Sequence, residues 1–225
     1  MKPSTLALLL SVCVPAFASA APATKRVALV FDDGPVPEQC LQFLELFARE
    51  GVHATFSHEG RFVAAHPDLA RKVAEAGHEI INHSYTHPHL KDLEVAAIAH
   101  EVTETQDAIQ AAIDRRPRWF WAPFLEWNDA MAAALATTDV KHFPISQVRL
   151  VSSDDWNQAT DAAGILQKAT TGIEDRTVIL CHEWRAETLA QLPAILAELR
   201  RQGCTFLTFS ELAATLTPEQ LAVAR

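Results

Sequence analysis

Two histidines four residues apart, His83 and His87, lie in the stretch G-H-E-I-I-N-H-S-Y-T-H-P-H-L that covers 77–90. A separation of four is about one helical turn, so both imidazoles can point to one side of a tight turn. Such a pair suits a divalent metal of the zinc type, which takes imidazole nitrogen at roughly 2.0–2.1 Å. A catalytic site of that kind needs a third protein ligand and leaves a fourth position for water. The chain offers acidic candidates at the end of an earlier apolar run. V-A-L-V-F-D-D-G-P over 27–35 sets Asp32 and Asp33 side by side where a strand should stop. An H-x3-H pair alone fits surface histidines as well as a metal; the adjacent carboxylates shift the balance towards the metal.

The elements that must position these residues follow from the apolar pattern. A buried strand over 27–31 is ended by Gly34 and Pro35, and a helix over 37–50 carries Leu41, Leu44 and Phe47 on one face, with Gly51 as its stop. A strand over 52–57, a helix over 61–76 interrupted at Pro67, and a strand over 78–82 lead to the two histidines. Further on come a long helix over 92–113, a strand over 118–122 and a helix over 128–137. One or two short strands surround Pro144 within 140–151, and a helix covers 160–173. A strand over 178–181 ends at His182; a helix over 187–202, a strand over 205–209 and a short helix over 210–215 complete the chain. Strand alternates with helix, which predicts a parallel sheet with right-handed crossovers. In a β/α barrel the polar residues after the first strand, after the third, at 154–155 and at 182 all open on one C-terminal face. A doubly wound open sheet is the alternative, but no G-x-G-x-x-G follows the first strand, so dinucleotide binding has little support.

With 225 residues, 49% of them hydrophobic, the chain can bury the core of one domain. The formal net charge of −9 and the lack of Lys/Arg clusters argue against nucleic-acid binding. Lys2, the apolar run Leu6–Val14 and Ala18-Ser19-Ala20 read as a signal peptide over 1–20, leaving one domain over 21–225. The apolar run is too short to span a bilayer, so no stable membrane insertion is expected. A lipid on Cys13 is disfavoured because Val12 is not small. Cys40, Cys181 and Cys204 cannot all pair with one another; buried free thiols are the favoured reading, with one disulfide left open.

F-D-D-G-P at 31–35 and H-S-Y-T-H at 83–87, with G-H-E-I before the latter, resemble the first two motifs of the polysaccharide deacetylases, the NodB-like carbohydrate esterase family 4. A-T-F at 54–56 and Gly60 fit the same pattern, and W-A-P-F at 121–124, D-D-W at 154–156 and L-C-H at 180–182 resemble its later motifs more loosely. The resemblance covers roughly residues 26–210. It implies a distorted (β/α) barrel, a single domain, that removes acetyl groups from N-acetylated sugars or, in some members, from acetylated xylan. By motif, Asp33, His83 and His87 would hold a divalent metal, zinc in the first instance and cobalt as an alternative. Asp32 would be the general base, His182 the general acid and Asp155 the partner that tunes it. The backbone N–H of Phe124 would help hold the oxyanion, and Leu180 and Trp156 would line the acetyl pocket. The partner implied is an acetylated poly- or oligosaccharide, in a secreted or periplasmic setting.

The third motif departs from the family. Trp121 stands where an arginine usually orients the base, Phe124 replaces a tyrosine and Leu125 a glycine. Trp121 is expected to offer an apolar wall to substrate, with Arg118 or Arg185 as substitute cations near Asp32. Without a nearby cation Asp32 should titrate higher than in relatives that keep the arginine. Trp121, Trp156 and Trp184, at or just past strand ends, are candidates for sugar stacking. The rival readings are a non-catalytic sugar-binding module that retains the metal site, and an amidase acting on a non-sugar amide.

Overall fold

A computed structural model describes residues 24–222, so the expected signal segment lies outside the described residues. Its centre is β1 (Lys25–Gly34), longer at both ends than the apolar run and carried through the two aspartates. Around it lie β2 (Thr55–His58), β3 (Glu79–Asn82), β4 (Trp119–Phe120), β5 (Lys141–His142), β6 (Arg149–Ser152), β7 (Thr177–His182) and β8 (Cys204–Phe206). They pair in the order β5-β4-β3-β2-β1-β7-β6, every pair parallel, and β8 joins the first residues of β1. The parallel pairing is what the alternation of elements predicts, and the curled sheet, open between β5 and β6, is the distorted (β/α) barrel that the family resemblance implies.

The helices are α1 (Pro37–Glu50), α2 (Gly60–Ala65), α3 (Pro67–Glu75), α4 (Val95–Ile113), α5 (Asp129–Leu135), α6 (Ala162–Thr170), α7 (Ala186–Arg201), α8 (Phe209–Ala213) and α9 (Pro218–Ala222). Pro67 splits the helix expected over 61–76, because it lacks the N–H that an unbroken helix would need; it instead starts α3, where that N–H is dispensable.

Side chains alternate across β1, and this sets where the chemistry points. Leu29 and Phe31 face outward, into a layer with Phe43, Phe47 and Phe56 beneath the helices. Ala28 and Val30 face the barrel interior, with Trp121, Phe143, Leu180 and Phe209. Asp32 shares the parity of Val30, and His182 that of Leu180, so both carry the interior face on to the rim. Cys40, Cys181 and Cys204 are buried free thiols. Among the described residues no helix is long and apolar enough to cross a membrane.

Candidate active site

The parallel register places Asp32 of β1 directly beside His182 of β7. Neighbouring strands lie about 4.8 Å apart, so the base and the acid expected from the sequence meet at one strand end. On the other side of Asp32, Asp33 turns towards the histidines. Its Oδ1 lies 3.3 Å from His83 Nε2 and 3.3 Å from His87 Nε2. Together Asp33, His83 and His87 present one ligand atom each, all within 4.8 Å of one another.

Three observations bear on whether this triad suits a divalent cation. The donors are one carboxylate and two imidazoles, a common open-site set. Asp33 Oδ1 is buried and has no hydrogen-bond partner among the described residues. His83 Nδ1 donates to the carbonyl of Trp121 at 2.7 Å, which leaves Nε2 free to face Asp33. The residues fit such an ion.

His87 is held by a polar turn that the sequence does not advertise. Glu101, on α4, accepts from the main-chain N–H of both Tyr85 and Thr86 at 2.8 Å and from Thr86 Oγ1 at 2.7 Å. Ser84 Oγ accepts from His87 N, and Asn82 Oδ1 from Ser84 N. Left-handed backbone gathers around the site: Asp33 (φ 69°), Ser84 (62°), His87 (58°), Phe124 (57°), Leu125 (57°) and Asp154 (58°). Each such residue costs about 1–3 kcal/mol, which the packing around it must hold in place.

Beneath the Asp32–Asp33 turn lies a buried pair, His58 and Glu183, 3.3 Å apart. Glu183 Oε1 accepts from Val36 N at 3.0 Å, and Glu183 N donates to the Asp32 carbonyl at 2.9 Å. Gly34 is glycine because of this pair: a Cβ there would come within 1.7 Å of Glu183 Oε2.

His182 is oriented by Asp155. Asp155 Oδ1 accepts from His182 Nδ1 at 2.7 Å, while Oδ2 accepts from His182 N at 2.8 Å and Thr188 Oγ1 at 2.6 Å. Burial works to lower the pKa of His182, but the hydrogen bond and charge of Asp155 outweigh it and the net shift is upward. Burial likewise works to raise Asp155, and His182 holds it below the usual carboxylate value. Asp154 looks elsewhere, accepting from Thr160 and Lys168.

The two aspartates are driven apart. Burial pushes Asp32 up to about 6, further raised by Asp33 and opposed by His83, His182 and the Trp121 hydrogen bond. Asp33 is pulled down despite its burial, by the His83 imidazole beside it and by the charges of His182 and His87. The upward direction at Asp32 comes first from its burial. Among the described residues, neither expected substitute cation is hydrogen-bonded to Asp32. Arg185 Nη1 donates to Gln158 at 2.6 Å, and Arg118 lies over the Trp119 ring at 4.9 Å.

Trp121 is not an exposed wall. It is 1% exposed, packed edge-on to Phe143 and Phe209, and its Nε1 donates to Asp32 Oδ2 at 3.0 Å. An inward-facing residue of β4's rim is closed off by α8, so its ring fills core and only its N–H reaches the site. Trp184 is half-buried, with Nε1 donating to Asp33 Oδ2 at 2.9 Å. Of the other residues expected to meet substrate, Trp156 is 58% exposed and Phe124 50% exposed, whereas Leu180 is 6% exposed on the interior face. The Phe124 ring packs on His89 and His87 at 3.9 and 4.6 Å. A cavity of about 640 Å³ lies elsewhere, beside β5 and α5, with Trp127, Leu135, His142 and Leu221 in its wall; no residue of the triad lines it.

Fold and site together define a class: a distorted parallel (β/α) barrel with a candidate metal triad and an adjacent Asp–His pair on its C-terminal rim. The chain belongs to the polysaccharide deacetylase family, which it matches over residues 19–143. It is 31% identical over 188 residues to a peptidoglycan-N-acetylglucosamine deacetylase of Listeria monocytogenes, covering 84% of this chain and 39% of that protein. It is 28% identical over 193 residues to a chitooligosaccharide deacetylase of Rhizobium leguminosarum bv. trifolii, covering 80% and 87%. A family 4 carbohydrate esterase from Streptomyces lividans, solved with acetate, superimposes with a TM-score of 0.74 at 33% identity, over 83% of this chain and 93% of that one.

Proposed function

We propose that this chain is an exported, divalent-metal-dependent hydrolase that removes acetyl groups from N-acetylated, or O-acetylated, poly- or oligosaccharides. The observation that carries the reading is the grouping around the aspartate pair, with His83 and His87 beside Asp33 and His182 beside Asp32. Asp33, His83 and His87 would hold the ion, zinc first and cobalt next; when bound, it supplies polarisation of the acetyl carbonyl and acidification of water.

The chain's own residues do the rest. Asp32 takes a proton from the water that attacks the acetyl carbon, and a base with a pKa near 6 suits that work close to neutrality. His182, charged through Asp155, gives a proton to the leaving nitrogen as the carbon–nitrogen bond breaks, releasing acetate and a sugar amine. With an ester the leaving oxygen takes that proton instead. The Phe124 N–H helps hold the oxyanion, Leu180 borders the acetyl methyl, and exposed Trp156 offers a face to the sugar. N-acetylated glucosamine chains are favoured because the Listeria relative is named for peptidoglycan N-acetylglucosamine and the Rhizobium relative for chitooligosaccharide.

The test is acetate release from chito-oligomers, peptidoglycan and acetylated xylan with zinc supplied. Release from at least one N-acetylated substrate is expected; no acetate from any of the three would refute the reading.

A further inference from the structure

We propose that two indole N–H groups divide the labour of the adjacent aspartates, Trp121 fixing Asp32 as the proton acceptor and Trp184 fixing Asp33 as the metal ligand. The inference rests on the function proposed above and assigns positioning residues to it. The two bonds are alike in kind: Trp121 Nε1 to Asp32 Oδ2 at 3.0 Å, and Trp184 Nε1 to Asp33 Oδ2 at 2.9 Å. Each occupies one carboxylate oxygen and leaves Oδ1 buried without a hydrogen-bond partner among the described residues. For Asp33 that remaining oxygen is the one directed at both imidazoles. For Asp32 the tethered oxygen is the one nearer the triad, 3.7 Å from His83 Nε2. The indole therefore engages the oxygen through which Asp32 could compete for the ion, and the other oxygen is left to accept a proton.

An indole N–H suits this task because it donates only and carries no charge. It cannot pair with both aspartates as a guanidinium fork could, so each carboxylate needs its own tryptophan. The two come from opposite sides, Trp121 from the rim of β4 and Trp184 from the turn after β7. Trp121 has a second contact of different origin: its main-chain carbonyl accepts from His83 Nδ1 at 2.7 Å. Replacing its side chain leaves that carbonyl in place, so within the site the Trp121 side chain hydrogen-bonds the base alone.

This separation sets the test. Loss of a group that hydrogen-bonds a metal ligand typically costs about 10–100-fold in metal affinity. Trp184→Phe should raise the zinc dissociation constant by that order, and the activity lost at limiting zinc should return as zinc is added. Trp121→Phe should hold zinc within roughly threefold of wild type yet lose about tenfold or more in kcat that added zinc does not restore, the loss expected for a hydrogen bond to a charged group.

Trp121 is buried, so a second measurement leaves both tryptophans intact. In the ¹H–¹⁵N spectrum, Asp32→Ala should move the Trp121 indole signal and not that of Trp184, and Asp33→Ala the reverse. Equal loss of zinc affinity in the two Trp→Phe variants, or indole signals indifferent to their own aspartate, would overturn the proposal. The zinc and spectral readings need no substrate, so a protein that shows the split but releases no acetate would refute the proposed function alone.

Discussion

At the scale of single residues, the His182–Asp155 pair makes the clearest claim about pH. The Asp155 carboxylate, 2.7 Å from the imidazole, favours its charged form, and the acid role requires that form. His182 is raised above 6.5, so activity should persist to higher pH than a free imidazole allows and fall as pH rises through the folded value. Asp155→Asn removes the charge while keeping a hydrogen-bonding oxygen. The alkaline limb of kcat/KM should then move to lower pH by about 1–3 units, measured on one soluble substrate. An unmoved limb would mean that another group donates the proton. Asp155 and His182 were legible because each follows the end of an apolar strand-like run, in D-D-W and L-C-H. Trp121 and Trp184 were visible as aromatic residues near strand ends, but not as donors. Where an indole N–H points depends on what packs behind the ring, and Phe143 and Phe209 come from distant parts of the chain.

At the scale of elements, the site is built from strand ends and held by side chains that no motif announces. Glu183 follows His182 and ties the end of β7 to the turn after β1, through Val36 N and the Asp32 carbonyl. Gly34→Ala would push a methyl into that buried carboxylate and against His58 Cδ2 at 3.0 Å. Overpacking of this kind costs about 1–3 kcal/mol, so the melting temperature should drop by several degrees. An unchanged melting temperature would show that the Glu183 clamp moves aside freely. Apolar runs with Gly or Pro stops made β1, β3, β7 and most helices legible. Strands β4 and β5 are two residues each, shorter than the segments expected, because only those residues meet a neighbouring strand in register. Helix α9 was missed although its signal is present. Thr217 and Gln220 exchange hydrogen bonds, with Thr217 N donating to Gln220 Oε1 and Gln220 N to Thr217 Oγ1, the reciprocal cap expected of T-x-x-Q.

At the scale of the whole molecule, the barrel converts one-dimensional spacing into a site. Residues 32–33, 83–87, 121 and 182–184 are far apart in sequence and meet because parallel strands all end on one rim. The alternation of strand and helix carried that much. It did not carry the closeness of Asp32 to His182, which depends on β7 pairing directly with β1. In the proposed function Asp33, with the two histidines, holds an ion while Asp32 accepts the proton. The most direct measurement strips metal from wild type, Asp32→Asn and Asp33→Asn, then titrates zinc back while following both bound zinc and acetate released from N-acetylated chito-oligomers. Wild type should bind about one zinc and regain turnover in step with it. Asp32→Asn should bind zinc and stay nearly inactive, and Asp33→Asn should fail to bind it tightly. Full acetate release from zinc-free wild type, or loss of zinc from Asp32→Asn rather than Asp33→Asn, would contradict the account.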